Sequence, residues 1–98
     1  MKTGEWSVYL VECSDHSLYC GITKNIEKRI KAHNKGKGAK YTRMRRPVKL
    51  IEVCSDLDLS LALRTEYYIK SLERKKKEPF LRNFKKRKVI VKWIFGRK

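Results

Sequence analysis

Five side chains spread along this sequence have types and spacings that suit chemistry on a phosphate ester. Tyr9 and Tyr19 lie ten residues apart, Arg29 comes ten residues after the second tyrosine, His33 follows four residues later, and Glu66 lies farther along the chain. A phenol can act as a base if nearby cations lower its pKa, an arginine offers a planar fork to phosphate oxygens, and one carboxylate can hold Mg²⁺, which keeps most of its waters. Together these residue types suit hydrolysis of a phosphodiester.

Each of these residues also has an ordinary structural explanation. A tyrosine in a strand is usually half-buried and packs against its neighbours. A histidine beside an arginine on a helix usually faces solvent, and a single glutamate in a long helix usually lies on the surface. The hypothesis of a shared site therefore depends on the order and spacing of the residues and not on any one of them.

The charge of the chain favours a polyanionic partner. The 98 residues carry 26 Lys and Arg against 10 Asp and Glu, a formal net charge of +16. Solubility needs a net charge of only roughly 2–8 for a small domain. A field of this sign favours nucleic acid first and an anionic membrane surface second.

Length, apolar content and cysteine usage predict one small intracellular domain. A hydrophobic share of 41% suffices for one core and excludes a disordered tail. We find no run of about 18 apolar residues and no cleavable signal, so neither a membrane span nor secretion is expected. Three cysteines in apolar surroundings predict buried free thiols in a reducing compartment, and hence a cytoplasmic protein, with association with the nucleoid left open.

The first two apolar runs predict a β-hairpin. Residues 6–13 and 17–22 are rich in β-branched and aromatic side chains, and the stretch between them is short and polar. A two-residue loop would place Tyr9 and Tyr19 on opposite faces, whereas a three-residue loop or one bulge pairs Tyr9 with Gly21 or Thr23 and puts both tyrosines on one face. The second register is favoured because the other face is then entirely apolar. That face holds Val8, Leu10, Leu18, Cys20 and Ile22.

The middle of the chain predicts a helix, a loop and a third strand. Asn25 is a plausible N-cap and Gly36 a natural stop, so residues between them form a helix that carries Arg29 and His33 on one face. Residues 35–47 have glycines, many cations and no periodicity, which predicts a loop. Residues 48–53, opened by Pro47, predict a third strand.

The last third predicts helices and one undecided segment. Residues 58–76 form the longest helical pattern, with an apolar stripe and Glu66 at its border. Pro79 suits the first turn of a short helix. Residues 89–95 are apolar and β-prone, and a fourth strand, a dimer contact and a cover for the sheet edge remain alternatives.

The order of these elements and residues resembles the GIY-YIG endonuclease superfamily, and in particular its small stand-alone bacterial members. Here "VYL" at 8–10 and "YCG" at 19–21 stand for the two tripeptides that name the family, with the final glycine kept at Gly21. Arg29 and His33 match the family's helix positions, and Glu66 matches its metal-binding glutamate. The resemblance covers residues 6–76. Residues 77–98 would form a basic C-terminal extension, and we expect the whole chain, 1–98, to be a single domain.

The resemblance implies an α+β fold in which a small three-stranded antiparallel sheet is flanked by helices. It implies catalytic roles for Tyr9, Tyr19, Arg29 and His33, and one Mg²⁺ or Mn²⁺ held by Glu66. Tyr19 is favoured as the base and Tyr9 as the residue that orients water or phosphate, with the reverse assignment left open. His33 would pass a proton or bind phosphate.

Two positions differ from the family pattern or match it only weakly. Ile22 stands where some relatives that repair DNA have a lysine directly after the second tripeptide. A family asparagine beyond the glutamate helix has a weak counterpart in Asn83.

The basic loop predicts a nucleic-acid surface. Its cations would contact successive phosphates of a nucleic-acid backbone, and its tyrosine would stack on a base. Nothing in the chain indicates side chains that would distinguish one base from another. DNA, including branched or damaged DNA, is the expected partner, RNA is an alternative, and protein partners are left open. The residues concerned are Lys40, Tyr41, Arg43, Arg45 and Arg46.

Three functions are compatible with these features. The first is a metal-dependent DNA endonuclease of weak sequence specificity that acts in DNA repair or nucleic-acid processing. The second is a non-catalytic nucleic-acid-binding protein that retains the fold, which the altered first tripeptide and Ile22 favour. The third is a basic RNA-associated protein of ribosomal type.

Overall fold

The computed structural model describes the backbone of residues 4–96 and the side chains of residues 4–86. Three strands form one antiparallel sheet with the order β2-β1-β3. Helices pack on both of its faces, which confirms the predicted α+β fold. The elements are β1 Trp6–Glu12, β2 Leu18–Thr23, α1 Ile26–Asn34, α2 Lys40–Arg43, β3 Lys49–Leu57, α3 Leu59–Lys70 and α4 Arg74–Gly96.

The β1–β2 hairpin adopts the predicted odd register. Tyr9 pairs with Gly21 across the two strands. The backbone N–H of Cys13 donates to the carbonyl of Ser17 at 2.8 Å, so three residues form the loop. The last of them, His16, has a φ of 68°, the left-handed conformation that closes such loops.

The sheet carries a different core on each face. Val8, Leu10 and Cys20 face α3 and α4, where they pack with Ala62 and Leu81. The opposite face holds the second cluster, which packs against α1 and consists of Tyr9, Val11, Cys13 and Val48, with Tyr19, Ile26, Ile30 and Val53 partly buried against it. The alternation of side chains along β1 thus separates an apolar core from a face that contains both tyrosines.

The ends of α1 agree with the sequence. The side chain of Asn25 accepts a hydrogen bond from the Lys28 N–H at 3.1 Å, which caps the first turn. Gly36 has a φ of +79° just beyond the helix. All three cysteines are buried free thiols, as predicted.

The prediction of a loop at residues 35–47 was wrong in part. One turn of helix, α2, forms at Lys40–Arg43, where the N–H groups of Thr42 and Arg43 both donate to the carbonyl of Ala39. No glycine or proline lies in this turn, and Thr42 is buried against α1. Tertiary packing therefore stabilises a turn that shows no periodicity in the sequence.

The third strand is longer than predicted. β3 continues to Leu57, because Cys54 and Leu57 both pack into the core shared with α3 and α4. Its pairing with β1 contains register shifts, and Asp56 has a φ of 63° near its end. These irregularities hide the period-two pattern that would have marked the strand's end.

The helix predicted at 58–76 is two helices. α3 ends at Lys70, where the Ser71 hydroxyl donates to the Tyr68 carbonyl and the Lys77 ammonium to the Ile69 carbonyl. These side chains satisfy carbonyls at the end of the helix and allow the chain to turn.

A second helix, α4, then begins at Arg74 and buries Leu81 against the sheet. Pro79 lies inside α4, not in the first turn of a short helix. Residues 89–95 are helical, so the fourth-strand alternative was wrong. The dimer contact and the edge cover concern side chains that lie outside the described residues. Within the described part, no helix is long and apolar enough to cross a membrane.

Candidate active site

The two tyrosines, Arg29 and His33 meet on the α1 face of the sheet. The ring centroids of Tyr9 and Tyr19 are 6.4 Å apart. The His33 ring lies 5.8 Å from the first tyrosine and 5.5 Å from the second, measured between centroids. The Arg29 Nε donates to the Tyr9 hydroxyl at 3.3 Å. The hairpin register and the i, i+4 spacing on α1 together bring four of the five predicted residues into one cluster.

Two glycines allow this cluster to close. A Cβ at Gly21 would collide with the hydroxyl of Tyr9 and lie 2.6 Å from its Cζ, because the phenol lies directly over the opposite strand. A Cβ at Gly38 would collide with the Nδ1 of His33 and lie 2.7 Å from its Cγ. The predicted importance of Gly21 thus has a steric reason, and Gly38 is a position that sequence reasoning missed.

A continuous series of buried hydrogen bonds runs through the site. The Tyr9 hydroxyl is 2.7 Å from His33 Nε2, and His33 Nδ1 is 2.7 Å from the Thr42 hydroxyl oxygen. The Thr42 hydroxyl donates to the Ala39 carbonyl at 3.0 Å. Tyr9, His33 and Thr42 each have 0% of their surface exposed. Thr42 was not predicted, and its only sequence signal is a small β-branched residue within a run of cations.

Burial and one cation set the charge states of this series. Burial raises the pKa of Tyr9 to about 12, although the neighbouring Arg29 opposes the shift. Burial and, to a smaller extent, Arg29 lower the pKa of His33. The hydrogen bond to Tyr9 raises the pKa of Arg29. At neutral pH the cluster therefore contains a neutral phenol, a neutral imidazole and a charged guanidinium.

Exposure separates the four residues into two pairs. Tyr9 and His33 are fully buried, whereas Tyr19 and Arg29 are partly exposed. Both ring nitrogens of His33 are already hydrogen-bonded, which leaves neither of them for a phosphate. The geometry therefore suits contact with a substrate through Tyr19 and Arg29, supported from behind by Tyr9 and His33.

Tyr19 is held by aromatic and cationic neighbours. The Tyr41 ring stacks on it with centroids 5.9 Å apart and planes inclined by 24°. The Arg45 guanidinium lies 3.9 Å from the Tyr41 centroid and is held by Asp15 at 3.1 Å. Tyr41 is 39% exposed, but the ring face under Arg45 is not open to a base in this conformation. The ring therefore supports Tyr19, and Arg45 would have to move before a base could stack there.

Glu66 is on α3, the helix that packs against the opposite face of the sheet from the tyrosines. Its carboxylate pairs with Lys70 one turn later, with 3.3 Å between Oε2 and Nζ, and its side chain is 18% exposed. The Lys70 Nζ lies 5.7 Å from the Tyr19 ring centroid. Lys70 therefore connects the carboxylate to the tyrosine face.

The donor set around Glu66 fits Mg²⁺ or Mn²⁺ better than zinc. Within the described side chains, no group of three or more His, Cys, Asp or Glu residues could enclose a metal ion. Mg²⁺ keeps several waters and binds through one or two carboxylates together with substrate phosphates. Glu66 offers one such carboxylate, with 18% of its side chain exposed.

The remaining predicted residues lie around the site. Lys40, Arg43 and Arg46 are exposed on and beside α2, and the Arg46 Nε donates to the Arg43 carbonyl. Asn83 is exposed on α4, and no described contact connects it to the tyrosine pair.

Several known proteins are similar to this chain in sequence. A model of the GIY-YIG catalytic domain matches residues 5–79. The UPF0213 protein YazA of Bacillus subtilis is 46% identical over 91 residues, covering 93% of this chain and 92% of its own. A UPF0213 protein of Bacillus cereus is 52% identical over 81 residues, covering 83% and 84%.

A solved structure also matches the fold. The solution NMR structure of protein EF2693 from E. faecalis is 38% identical, with a TM-score of 0.58, and the match covers 86% of this chain and 91% of that one. At this identity and coverage, the two proteins share the fold over the matched part of the chain.

Proposed function

The chain belongs to the GIY-YIG catalytic domain family, and from this premise we propose that it is a metal-dependent endonuclease that hydrolyses phosphodiester bonds in DNA. Membership of the family implies a nuclease and therefore a nucleic-acid substrate. Nucleases of this family generally use divalent metal ions. The choice of DNA, the metal dependence and a role in DNA repair or nucleic-acid processing in the cytoplasm are our proposals.

One observation supports the proposal more strongly than any other. The Tyr9 hydroxyl bridges Arg29 at 3.3 Å and His33 at 2.7 Å, on the same sheet face as Tyr19. A structural core has no need of a partly exposed guanidinium held against a buried phenol, whereas an always charged fork that reaches the surface is a natural ligand for phosphate oxygens. The arrangement suits a phosphate that docks against Arg29 and Tyr19.

The residues divide the work of hydrolysis. Arg29 binds non-bridging oxygens and stabilises the charge that develops on them. Tyr19 orients the attacking water, because it is the phenol with exposed surface, and it takes the proton of that water after passing its own phenol proton to solvent. Tyr9 holds Arg29 and His33 in place, and the Tyr9–His33 pair can take up a proton. A divalent ion held by Glu66 would stabilise the leaving oxygen when bound.

One observation favours the non-catalytic alternative. Lys70 pairs with Glu66 at 3.3 Å, so a metal ion must displace an ammonium before it reaches the carboxylate. If the ion pair persists in the presence of metal and nucleic acid, the chain would bind without cutting. The two functions therefore predict different effects of metal. A nuclease would lose the ion pair between Lys70 and Glu66 when metal binds, and a non-catalytic binding protein would keep it.

The decisive experiment uses Glu66→Gln. Wild type and variant are incubated with supercoiled plasmid and with branched DNA in Mg²⁺, in Mn²⁺ and in EDTA, and binding is measured in parallel. Nicking by the wild type only, lost in EDTA, with equal DNA binding by both proteins, supports the nuclease and its metal residue. No cutting with retained binding supports the alternative. Equal cutting by both proteins contradicts the role of Glu66.

Lys70→Gln is the matched second variant. It removes the competing ammonium and leaves the carboxylate, so we expect half-maximal cutting at a lower Mn²⁺ concentration than in the wild type. An unchanged or higher requirement would mean that Lys70 does not compete with the metal. Because the variant also loses a positive charge, DNA affinity is measured for both proteins at the same salt concentration. This separates a change in DNA affinity from a change in the metal requirement.

A further inference from the structure

The Thr42 hydroxyl has no role in the proposed hydrolysis, yet it is fully buried in the middle of the site. It lies on α2, nine residues beyond His33, and contacts the histidine from the side opposite to Tyr9. Its oxygen is 2.7 Å from His33 Nδ1 and 3.0 Å from the Ala39 carbonyl. Two short contacts on a single hydroxyl restrict where its one hydrogen can point.

The hydrogen of Thr42 has two neighbouring acceptors, the Ala39 carbonyl and, in one tautomer, His33 Nδ1. A carbonyl can only accept, so the hydroxyl donates in the 3.0 Å contact with Ala39, whose carbonyl also accepts the N–H groups of Thr42 and Arg43. The Thr42 oxygen then presents a lone pair to His33 Nδ1. A contact of 2.7 Å between two acceptors would be repulsive, so Nδ1 must carry a proton.

The second ring nitrogen follows from the first. A neutral imidazole carries one hydrogen, and if Nδ1 holds it, Nε2 is an acceptor. The Tyr9 hydroxyl at 2.7 Å then donates to Nε2, while Arg29 donates to the phenol oxygen at 3.3 Å. Every hydrogen in the series has an acceptor.

The other tautomer leaves a hydrogen without a partner. With the proton on Nε2, the phenol oxygen of Tyr9 would accept from both His33 and Arg29, and the phenol hydrogen would need another acceptor. Among the described residues, His33 Nε2 is the only acceptor within hydrogen-bond distance of that hydroxyl. A buried donor without an acceptor is unfavourable, so hydrogen bonding selects the Nδ1–H form.

We propose that Thr42 is a positioning residue for the nuclease reaction: its oxygen accepts the Nδ1 proton of His33 and so keeps Nε2 open to the proton of Tyr9. Gly38 permits this contact, because a Cβ there would collide with the same nitrogen. The proposal rests on the proposed function for its catalytic meaning. The tautomer itself is a property of the resting protein and can be measured without any substrate.

The first test is a measurement of the tautomer. Uniformly ¹⁵N-labelled protein in a His16→Gln background contains one imidazole, since the chain has two histidines. Long-range ¹H–¹⁵N spectra near neutral pH report which ring nitrogen carries hydrogen. We expect Nδ1–H in the Thr42 protein and in Thr42→Ser, and a shift towards Nε2–H in Thr42→Val, which keeps the shape and removes the acceptor. Nε2–H in the Thr42 protein would overturn the proposal, and this result needs no folded variant.

The second test is kinetic. In Thr42→Val we expect kcat for DNA cleavage to fall by roughly 10–100-fold, as is typical when an outer hydrogen-bond partner of a functional histidine is lost, with KM little changed. Thr42→Ser should restore kcat to near the wild-type value. Equal kcat in Thr42→Val and wild type, or a Thr42→Ser enzyme as slow as Thr42→Val, would contradict the proposal. An inactive wild type would defeat the proposed function and leave the ¹⁵N result standing.

Discussion

The Tyr9 side chain shows how one residue can serve both the core and the site. Its ring is fully buried with Val11 and Val48, and its hydroxyl contacts Arg29 and His33. Burial raises its pKa to about 12, which makes it a poor base in the resting protein and a good neutral donor. At the scale of the residue, the two phenols of the site are therefore not equivalent, and only Tyr19 has exposed surface.

Gly21→Ala should move the Tyr9 phenol out of line with its partners. The new Cβ would collide with the phenol hydroxyl, so we expect a loss of about 1–3 kcal/mol in the free energy of unfolding, typical of overpacking, together with a loss of cutting. Urea denaturation measures the first effect. In a Tyr9→Leu background, which lacks both the hydroxyl and the Cζ that the new Cβ would meet, the cost of Gly21→Ala should be smaller. An equal cost in both backgrounds would show that the phenol is not the obstacle.

His33 should make the stability of the protein depend on pH. Its pKa is lowered from the ordinary 6.5, so the unfolded ring binds a proton more readily than the folded ring. The free energy of unfolding should therefore fall as the pH drops through the ordinary value towards the lowered one, and this contribution should be constant above the ordinary value.

Urea midpoints between pH 5 and pH 8 check this prediction. The dependence should persist in His16→Gln and disappear in His33→Gln. The same dependence in His33→Gln as in the wild type would assign it to other groups.

At the scale of the element, α2 is a single turn whose two middle side chains point to different parts of the site. Thr42 contacts His33, and Tyr41 stacks on Tyr19. The outer residues of the same turn, Lys40 and Arg43, are exposed cations. A short helix thus connects the surface that would meet phosphate to both the buried and the exposed parts of the tyrosine cluster.

Tyr41→Ala should impair cutting more than binding. The contacts with Tyr19 and Arg45 involve the ring, and such aromatic pairs contribute about 0.5–1.5 kcal/mol. We expect Tyr41→Phe to behave as the wild type, since it keeps the ring. Plasmid nicking and DNA affinity, measured on the same preparations, separate the two effects. A proportionate loss of affinity and cutting in Tyr41→Ala would instead support a role in stacking on a base.

At the scale of the whole molecule, the two faces of the sheet carry core clusters of different composition. One face buries an apolar cluster under α3 and α4, and the other holds the tyrosines under α1. The net charge of +16 belongs to neither core and acts over the whole surface. It favours nucleic acid in general, and the placement of the cations decides which surface the nucleic acid meets.

The cations of α2 should contribute more to DNA binding than equivalent charges elsewhere. In the pair Lys40→Gln and Arg43→Gln, the slope of log affinity against log salt should fall by about two units, because each phosphate contact contributes about 0.9. The control pair, Arg64→Gln and Lys86→Gln, removes the same charge from exposed positions on α3 and α4. Fluorescence anisotropy at several salt concentrations measures both. Equal slopes would mean that the charge acts without a preferred surface.

Much of this protein was predictable from its sequence. The strands of the hairpin, the odd register and the cap of α1 all depend on side chains close together in the chain, where a period of two or four residues determines the shared face. Local pattern is therefore sufficient to predict that the two tyrosines share one face of the sheet and that Arg29 and His33 share one face of α1.

The tertiary structure decided what the cluster can do. The full burial of Tyr9 and His33, the contact of Thr42 with Nδ1 and the ion pair between Lys70 and Glu66 determine which groups are neutral, which face solvent and where each hydrogen points. The packing of α1, α2 and the sheet also set the helical turn at 40–43 and the end of α3. Contacts between distant segments leave no local periodicity, and burial changes proton affinities only once those segments have packed.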